Sequence, residues 1–384
     1  MSTRSEARIP ELDGIRAIAI WMVLLMHVVV GYPNPPGAMN FLPAVVKQAI
    51  GHGWLGVDLF FMLSGFLITG ILLDTRERPH YFRNFYVRRF LRIMPLYFTV
   101  VLVWALFYRH DEHYLLLSSG FGANLAPLVG IPTPHGPGVL WSLAVEEHFY
   151  LLWPAIVLLI PRRRLLWLCL AIFVVCPILR GVYAHKGWDV ETIYVLSWFR
   201  FDGLAAGAAI AIWAKSPMFT RNGARQIALT AFVALGLISL IGAKLGLFGT
   251  KTSLAVALRY TQAYLAFAVV FVLVLVYPGT RWTAPLRSRF MQLSGALSYC
   301  LYLIHLSLGD GYQFLFAPYV HLGPTATVLV RGAFILALAF VLAMLSRKFL
   351  EEPFLALKDR FASRPKPSLE PSDVELSPAL EPQT

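Results

Sequence analysis

Cysteine is nearly absent, with three in 384 residues. Cys169 and Cys176 share one apolar stretch at helical spacing and Cys300 stands alone in another, so no disulfide or zinc framework is indicated. The thiols read as small apolar filler. Charge is scarce as well: only 14% of residues are charged, and acidic residues (21) trail basic ones (33) for a net +12. With 58% hydrophobic residues and a mean hydropathy of +0.64, the chain is far too apolar for a soluble domain of its length. It has no Gly-rich nucleotide loop, tandem repeat or soluble-domain segment. The first apolar stretch ends in Val28-Val29-Val30-Gly31-Tyr32-Pro33, which offers no small-x-small cleavage site, so it reads as an uncleaved helix.

What is present is a series of apolar runs long enough to span a bilayer: 15–30, 54–73, 91–107, 140–160, 165–182, 193–213, 227–247, 256–277, 291–308 and 325–345. They predict an all-α polytopic membrane protein of about ten transmembrane helices. The ninth run is the least apolar, and 113–129 is a candidate re-entrant or short outer helix, which leaves nine or eleven crossings open. Arginine and lysine concentrate in alternate connections, above all in the block from Arg76 to Arg92, at Arg162 to Arg164 and from Arg347 onward. The positive-inside rule then places both termini in the cytoplasm. It also accounts for much of the net charge without a nucleic-acid partner. Residues 1–360 read as one membrane domain and 361–384, rich in Pro, Ser and Glu, as a disordered polar cytoplasmic tail.

Charge inside a bilayer is costly and usually functional. In Asp13-Gly-Ile-Arg16-Ala-Ile-Ala-Ile-Trp-Met-Val-Leu-Leu-Met-His27, Arg16 and His27 fall on one helix face, roughly 16 Å apart along the axis. One end sits at a membrane surface and the other deep inside. The topology places His27, Asp58, the Glu146-Glu147-His148 run, Arg200, Asp202 and His305 in the outer half, at similar depth on several helices. One shared polar cavity would explain that pattern. Arg200 and Asp202 have a plainer reading as a mutually neutralising pair, and Glu146 and Glu147 point about 100° apart, so one of them at most faces the cavity of His27.

On the inner side, Arg88, Arg89 and Arg92 form one cluster at helical spacing among Tyr and Phe residues. Guanidinium forks suit phosphate groups and the aromatics suit an adenine ring, while an anchor for anionic lipid headgroups is the alternative. A phosphorylated donor held by these arginines and Arg16 would reach His27 with an arm the length of pantetheine. A neutral His with a carboxylate partner, here Asp58 or one of Glu146 and Glu147, can deprotonate an acceptor hydroxyl near neutral pH.

These residues resemble the acyltransferase-3 family of bacterial integral-membrane O-acyltransferases. Leu12-Asp13-Gly14-Ile15-Arg16 followed by His27 reproduces the family's Arg, ten residues, His motif. Gly56-Val57-Asp58-Leu59-Phe60-Phe61-Met62-Leu63-Ser64-Gly65-Phe66, the arginine block from Phe85 to Pro95, Trp141-Ser142-Leu143-Ala144-Val145-Glu146-Glu147-His148-Phe149-Tyr150 and Ser298-Tyr299-Cys300-Leu301-Tyr302-Leu303-Ile304-His305 follow in order, with Phe349-Leu350-Glu351-Glu352-Pro353-Phe354 at the close. The resemblance implies transfer of an acyl group, commonly acetyl from acetyl-CoA, to a hydroxyl of a glycan, lipid-linked sugar or small glycosylated acceptor. It implies a multi-pass protein of the bacterial cytoplasmic (inner) membrane, and no metal is expected, since the His and carboxylate residues lack a recognisable ligand set and the chemistry needs none. Arg16 and His27 are the expected essential pair, Arg88, Arg89 and Arg92 the expected donor contacts. Many relatives carry an extracytoplasmic SGNH hydrolase-like domain, for which only the polar tail stands here, so the membrane domain or a partner is expected to reach the acceptor.

Together these readings make His27, Asp58, Glu146 and Glu147 the candidate catalytic residues. Arg16, Arg88, Arg89 and Arg92 are the candidate acyl-CoA ligands, and Arg200, Asp202, Tyr302 and His305 the candidate acceptor contacts. His27 is either a general base for direct attack on the thioester, which we favour, or a transient acyl carrier. A proton-coupled transporter using the same His/carboxylate cavity is the rival reading, weakened by the lack of an internal repeat or matched broken helices.

Overall fold

Among the described residues a helix covers most of each apolar run, the sixth being broken. The structure, a computed structural model, describes residues 9–107, 111–244, 252–318 and 322–357. The expected tail at 361–384 lies outside the described residues. We number the helices α1 (Pro10–Val29), α2 (Leu55–Thr75), α3 (Tyr81–Phe107), α4 (Leu140–Leu159), α5 (Arg162–His185), α6 (Phe201–Ala214), α7 (Arg221–Lys244), α8 (Ser253–Val276), α9 (Arg289–Leu315) and α10 (Pro324–Ser346). Eight helices among the described residues are long and apolar enough to cross a membrane, and α6 is a shorter apolar one. The long α9 is not among the eight, in keeping with its Ser294, Ser298, His305 and Asp310.

Side-chain contacts give the alternation of the bundle. The start of α1 meets the start of α9, where Gln292 donates to Pro10 O at 2.7 Å, and their far portions meet at His27 and His305. Asp58 near the start of α2 reaches Arg200 at the start of α6, whereas Asp74 near its end holds Lys215 just past α6, 2.5 Å apart. The bundle therefore has an Arg16 end, where α1 begins, and a His27 end. Residues 113–129 form the short helix Glu112–Ser119 and the 3-10 turn Ala123–Val129, which pack beneath α4 and α3; Tyr97 donates to Ser118 O at 2.8 Å.

α1 runs inside the bundle, with Ile20, Val23 and Leu24 fully buried. By contrast α7 presents Ile227, Phe232, Val233, Ile238 and Ile241 outward, as lipid-facing side chains should be. Hydrophobic force is weak between helices in lipid, so close backbone approach holds them. At the α2–α6 crossing Gly65 and Gly207 permit it: a Cβ on either would fall 1.9 Å from a carbonyl oxygen of the other helix, Leu204 O and Met62 O respectively.

The sixth run, expected as one helix over 193–213, is broken. It comprises Val190–Val195, a 3-10 turn at Ser197–Phe199 and then α6. Side chains meet the polar groups that the break frees: Arg180 donates to Phe199 O at 2.5 Å and Cys176 to Trp198 O at 3.3 Å. Ser197 Oγ lies 2.8 Å from Asn124 Nδ2 and 2.7 Å from His148 Nδ1. Irregular backbone at membrane depth needs such partners.

Candidate functional site

Arg16 projects from α1 into a pocket of about 140 Å³ walled by α2, α3, α4 and α9. Asp13, one turn earlier, holds its guanidinium at 2.7 Å. Arg89 and Arg92 of α3 border the same pocket, as do Glu146, Glu147 and Tyr150 of α4. Tyr150 donates to Glu146 Oε2 at 3.0 Å and makes a short hydrogen bond with Ser64 of α2, while the Arg89 guanidinium lies over the Tyr150 ring at 5.0 Å. Three guanidinium groups thus face two carboxylates in a half-buried space. Arg89 and Arg92 also border a second cavity of about 350 Å³ that carries Arg78 and Arg88, a basic vestibule at the Arg16 end.

His27, eleven residues along α1, borders a different and larger cavity of about 930 Å³. Trp54, Trp141, Tyr194 and Tyr260 supply an aromatic wall to it, with ring centroids 4.6 Å apart for Trp141 and Tyr194 and 5.6 Å for Trp54 and Tyr260. Asp189, Glu191 and Arg259 are at its rim. Val57 and Tyr302 border both this cavity and the Arg16 pocket. Vestibule, Arg16 pocket and His27 cavity therefore follow one another through the bundle, each sharing wall residues with the next.

The polar partner of His27 is a second imidazole. His305 Nδ1 faces the carbonyls of Tyr302 (2.7 Å) and Leu301 (3.2 Å), so that nitrogen carries the proton. His305 Nε2 is then the acceptor toward His27 Nδ1 at 3.1 Å, and Val23 O, also 3.1 Å away, asks the same nitrogen for a proton. The hydrogen-bond pattern assigns the His27 proton to Nδ1 and leaves Nε2 with a free lone pair.

Asp58, Arg200 and Asp202 are arranged otherwise than as members of one polar cavity. Arg200 pairs with Asp58, Asp202 pairs with Arg180 of α5 at 2.7 Å, and all four side chains are fully buried. None of the four borders the His27 cavity or the Arg16 pocket. Arg200 lies behind the aromatic wall, 4.0 Å from the Tyr260 ring centroid and 4.9 Å from that of Tyr194. The carboxylate expected beside His27 is thus engaged elsewhere in the case of Asp58, and Glu146 and Glu147 stand with the arginines. Arg88 shares the vestibule with Arg89 and Arg92 but does not border the Arg16 pocket, as those two do. Tyr302 donates to Val139 O at 3.4 Å and meets Ser142 Oγ at 2.7 Å, at the boundary of the two cavities.

Sequence reasoning missed Ser64 and Tyr150, although both lie in the motif blocks. It also missed the aromatic wall, whose members come from four separate segments, and the burial of Arg180 within the run 165–182.

Residues 9–346 match the model of the acyltransferase-3 family, described as an acyltransferase domain. The chain is 27% identical to the peptidoglycan O-acetyltransferase OatA of Listeria monocytogenes over 91% of its own length and 56% of that protein. It is 27% identical to "Putative peptidoglycan O-acetyltransferase YrhL" of Bacillus subtilis over 55% of its length and 34% of that protein. It is 25% identical to "Putative O-acetyltransferase SACOL0978" of Staphylococcus aureus over 90% and 57%. The chain thus spans about half the length of the curated relatives it matches. No solved structure matches it. With the family match running from the first described residue to the last residue of α10, the chain belongs to the acyltransferase-3 family.

Proposed function

We propose that the protein is a membrane O-acyltransferase that moves an acyl group, acetyl in the first instance, from cytosolic acyl-CoA to a hydroxyl of a glycan-containing acceptor. The observation that carries this reading is the placement of Arg16 and His27, on one helix, in two cavities that share Val57 and Tyr302. The density of basic residues at the Arg16 end supports a cytoplasmic position for that end. The vestibule then faces the donor. Arg78 and Arg88 would hold its phosphates, Arg89 and Arg92 would lead the pantetheine arm past Arg16, and the thioester would stop near Tyr302, within reach of His27. The aromatic wall offers flat apolar faces to sugar rings, and the rim carboxylates offer acceptors to their hydroxyls. The names of the relatives make a cell-wall glycan the first acceptor to try.

His27 Nε2, with its free lone pair, is the nitrogen that meets the acyl carbon or an attacking hydroxyl. Its tautomer is held by a neutral imidazole, so it lacks the carboxylate that would steady an imidazolium. Glu146 and Glu147 offset part of the charge of Arg16, Arg89 and Arg92 in the passage.

The test is release of free thiol from acetyl-CoA by the full chain in nanodiscs, with and without a peptidoglycan digest, against His27→Ala. Release that requires both His27 and the digest supports the reading. Folded protein that releases no thiol from any acyl-CoA sinks it and revives the transporter.

A further inference from the structure

The His27 cavity has a second histidine on its wall, and this one has a carboxylate. His135 lies on the proline-rich segment Ile131-Pro132-Thr133-Pro134-His135-Gly136-Pro137 that leads into α4, and it borders the same cavity as His27. Its Nδ1 is 2.7 Å from Oδ1 of Asp310 on α9, with the two side chains 47% and 27% exposed. The edge of the ring is braced by Tyr32 at 5.1 Å, and the Tyr32 hydroxyl donates to Leu306 O at 2.6 Å. The brace needs Gly309: a Cβ there would lie 1.9 Å from the Tyr32 hydroxyl oxygen, so only glycine lets Tyr32 sit beside Asp310. Two helical turns of α9 thus serve two histidines, His305 for His27 and Asp310 for His135.

We propose that His135, oriented by Asp310, is the general base that activates the acceptor hydroxyl in this cavity, leaving His27 to deal with the acyl donor. The proposal rests on the acyltransferase reading above. The carboxylate accepts a hydrogen bond from Nδ1–H, which fixes the tautomer and leaves Nε2 as the basic nitrogen. In the step, the acceptor O–H gives its proton to His135 Nε2 as its oxygen forms a bond to the acyl carbon. The bond from that carbon to sulfur breaks, the electron pair leaves on the thiolate, and the thiolate is protonated from water. His135 then gives its proton to outer water, and ester plus free thiol result. Asp310 stabilises the transient imidazolium, which His27 has no carboxylate to do.

Half exposure matters here, because a bulky polar acceptor can reach His135 without entering the bundle. The hydrogen bond that His135 donates to Asp310, more than any other influence, raises the pKa of His135 above the usual histidine value. Groups that face the same space are His27 and Tyr32 from α1 and its exit, Asp189 and Glu191 before α6, and Arg259 from α8. The tyrosines Tyr194, Tyr260 and Tyr302 complete the set of titratable groups. A base acts in its neutral form, so transfer falls as pH drops through the raised pKa. Removing the Asp310 charge lowers that pKa and moves the acid limb to lower pH.

The experiment uses the full chain in nanodiscs with acetyl-CoA and a peptidoglycan digest, reading acetyl ester by mass spectrometry and thiol release across pH. For His135→Asn we expect ester formation to fall about 100-fold with the KM for acetyl-CoA unchanged. For Asp310→Asn, which keeps the shape of the site, we expect a slower plateau and an acid limb displaced to lower pH. If both variants keep the wild-type rate and acid limb, His135 is not the base. If His135→Asn does not fold, the acid limb of Asp310→Asn decides alone: an unmoved limb overturns the proposal. Wild-type protein that makes neither ester nor thiol overturns the acyltransferase reading, and this proposal with it.

Discussion

His305 Nε2 lies 3.1 Å from His27 Nδ1, so one imidazole sets the tautomer of the other. His305 is fully buried and takes its own orientation from the carbonyls of Tyr302 and Leu301. Replacing His305 by Ala should cut transfer about 10- to 100-fold through misorientation of His27, while His27→Ala should abolish it. The double variant should be no worse than His27→Ala alone, because the two residues act as a unit. Steady-state rates of the four proteins measure this, and additive losses would separate the two roles.

Arg89 and Arg92 border both the vestibule and the Arg16 pocket, whereas Arg88 borders the vestibule only. Arg89→Ala and Arg92→Ala should each raise the KM for acetyl-CoA about tenfold and lower kcat, since they meet the arm as well as the entrance. Arg88→Ala should raise KM by a smaller factor that vanishes at high salt. Equal effects at all three positions would point to a lipid anchor.

The Arg200–Asp58 and Arg180–Asp202 pairs tie α2, α5 and α6 together in full burial. Breaking one pair with Asp58→Asn or Arg200→Met leaves a buried charge unmatched, a loss of about 3–5 kcal/mol. Thermal unfolding in detergent should show it as a lowered Tm, whereas a substrate contact would change KM and leave Tm in place.

Trp141 and Tyr194 present partly exposed rings to the His27 cavity. Trp141→Ala and Tyr194→Ala should raise the KM for the glycan acceptor about tenfold without altering the KM for acetyl-CoA. Two-substrate kinetics distinguish the two constants.

At the α2–α6 crossing, Gly207→Leu should abolish folded protein in the membrane, since its Cβ alone would strike Met62 O and Phe66 N. Gly236, with open space around the position of a Cβ, should accept Ala with an unchanged Tm. Size-exclusion profiles of the two variants settle the comparison.

The helices were legible in the chain because the bilayer imposes a long, nearly uncharged run on each one, and the spacing of Arg16 and His27 follows from helix geometry alone. The motif blocks from Leu12 to Phe354 were legible too, and with them the family. The break before α6 was not, because no proline or glycine marks it at Leu196 to Arg200. It persists because Arg180 and Cys176 satisfy freed carbonyls from another segment, while Asn124 and His148 hold the Ser197 side chain.

Which polar groups meet was likewise beyond the sequence. Depth along a helix is a local property, fixed by counting residues, so His27, Asp58 and Arg200 could be ranked by it. Pairing depends on rotation and on neighbours brought together by packing. That packing gave Asp58 to Arg200, Asp202 to Arg180 and Glu146 to Tyr150, and it gave His27 another histidine. The carboxylate-bearing histidine of the cavity proved to be His135, on a loop with no periodicity, because only the fold brings residues 135 and 310 within hydrogen-bond reach.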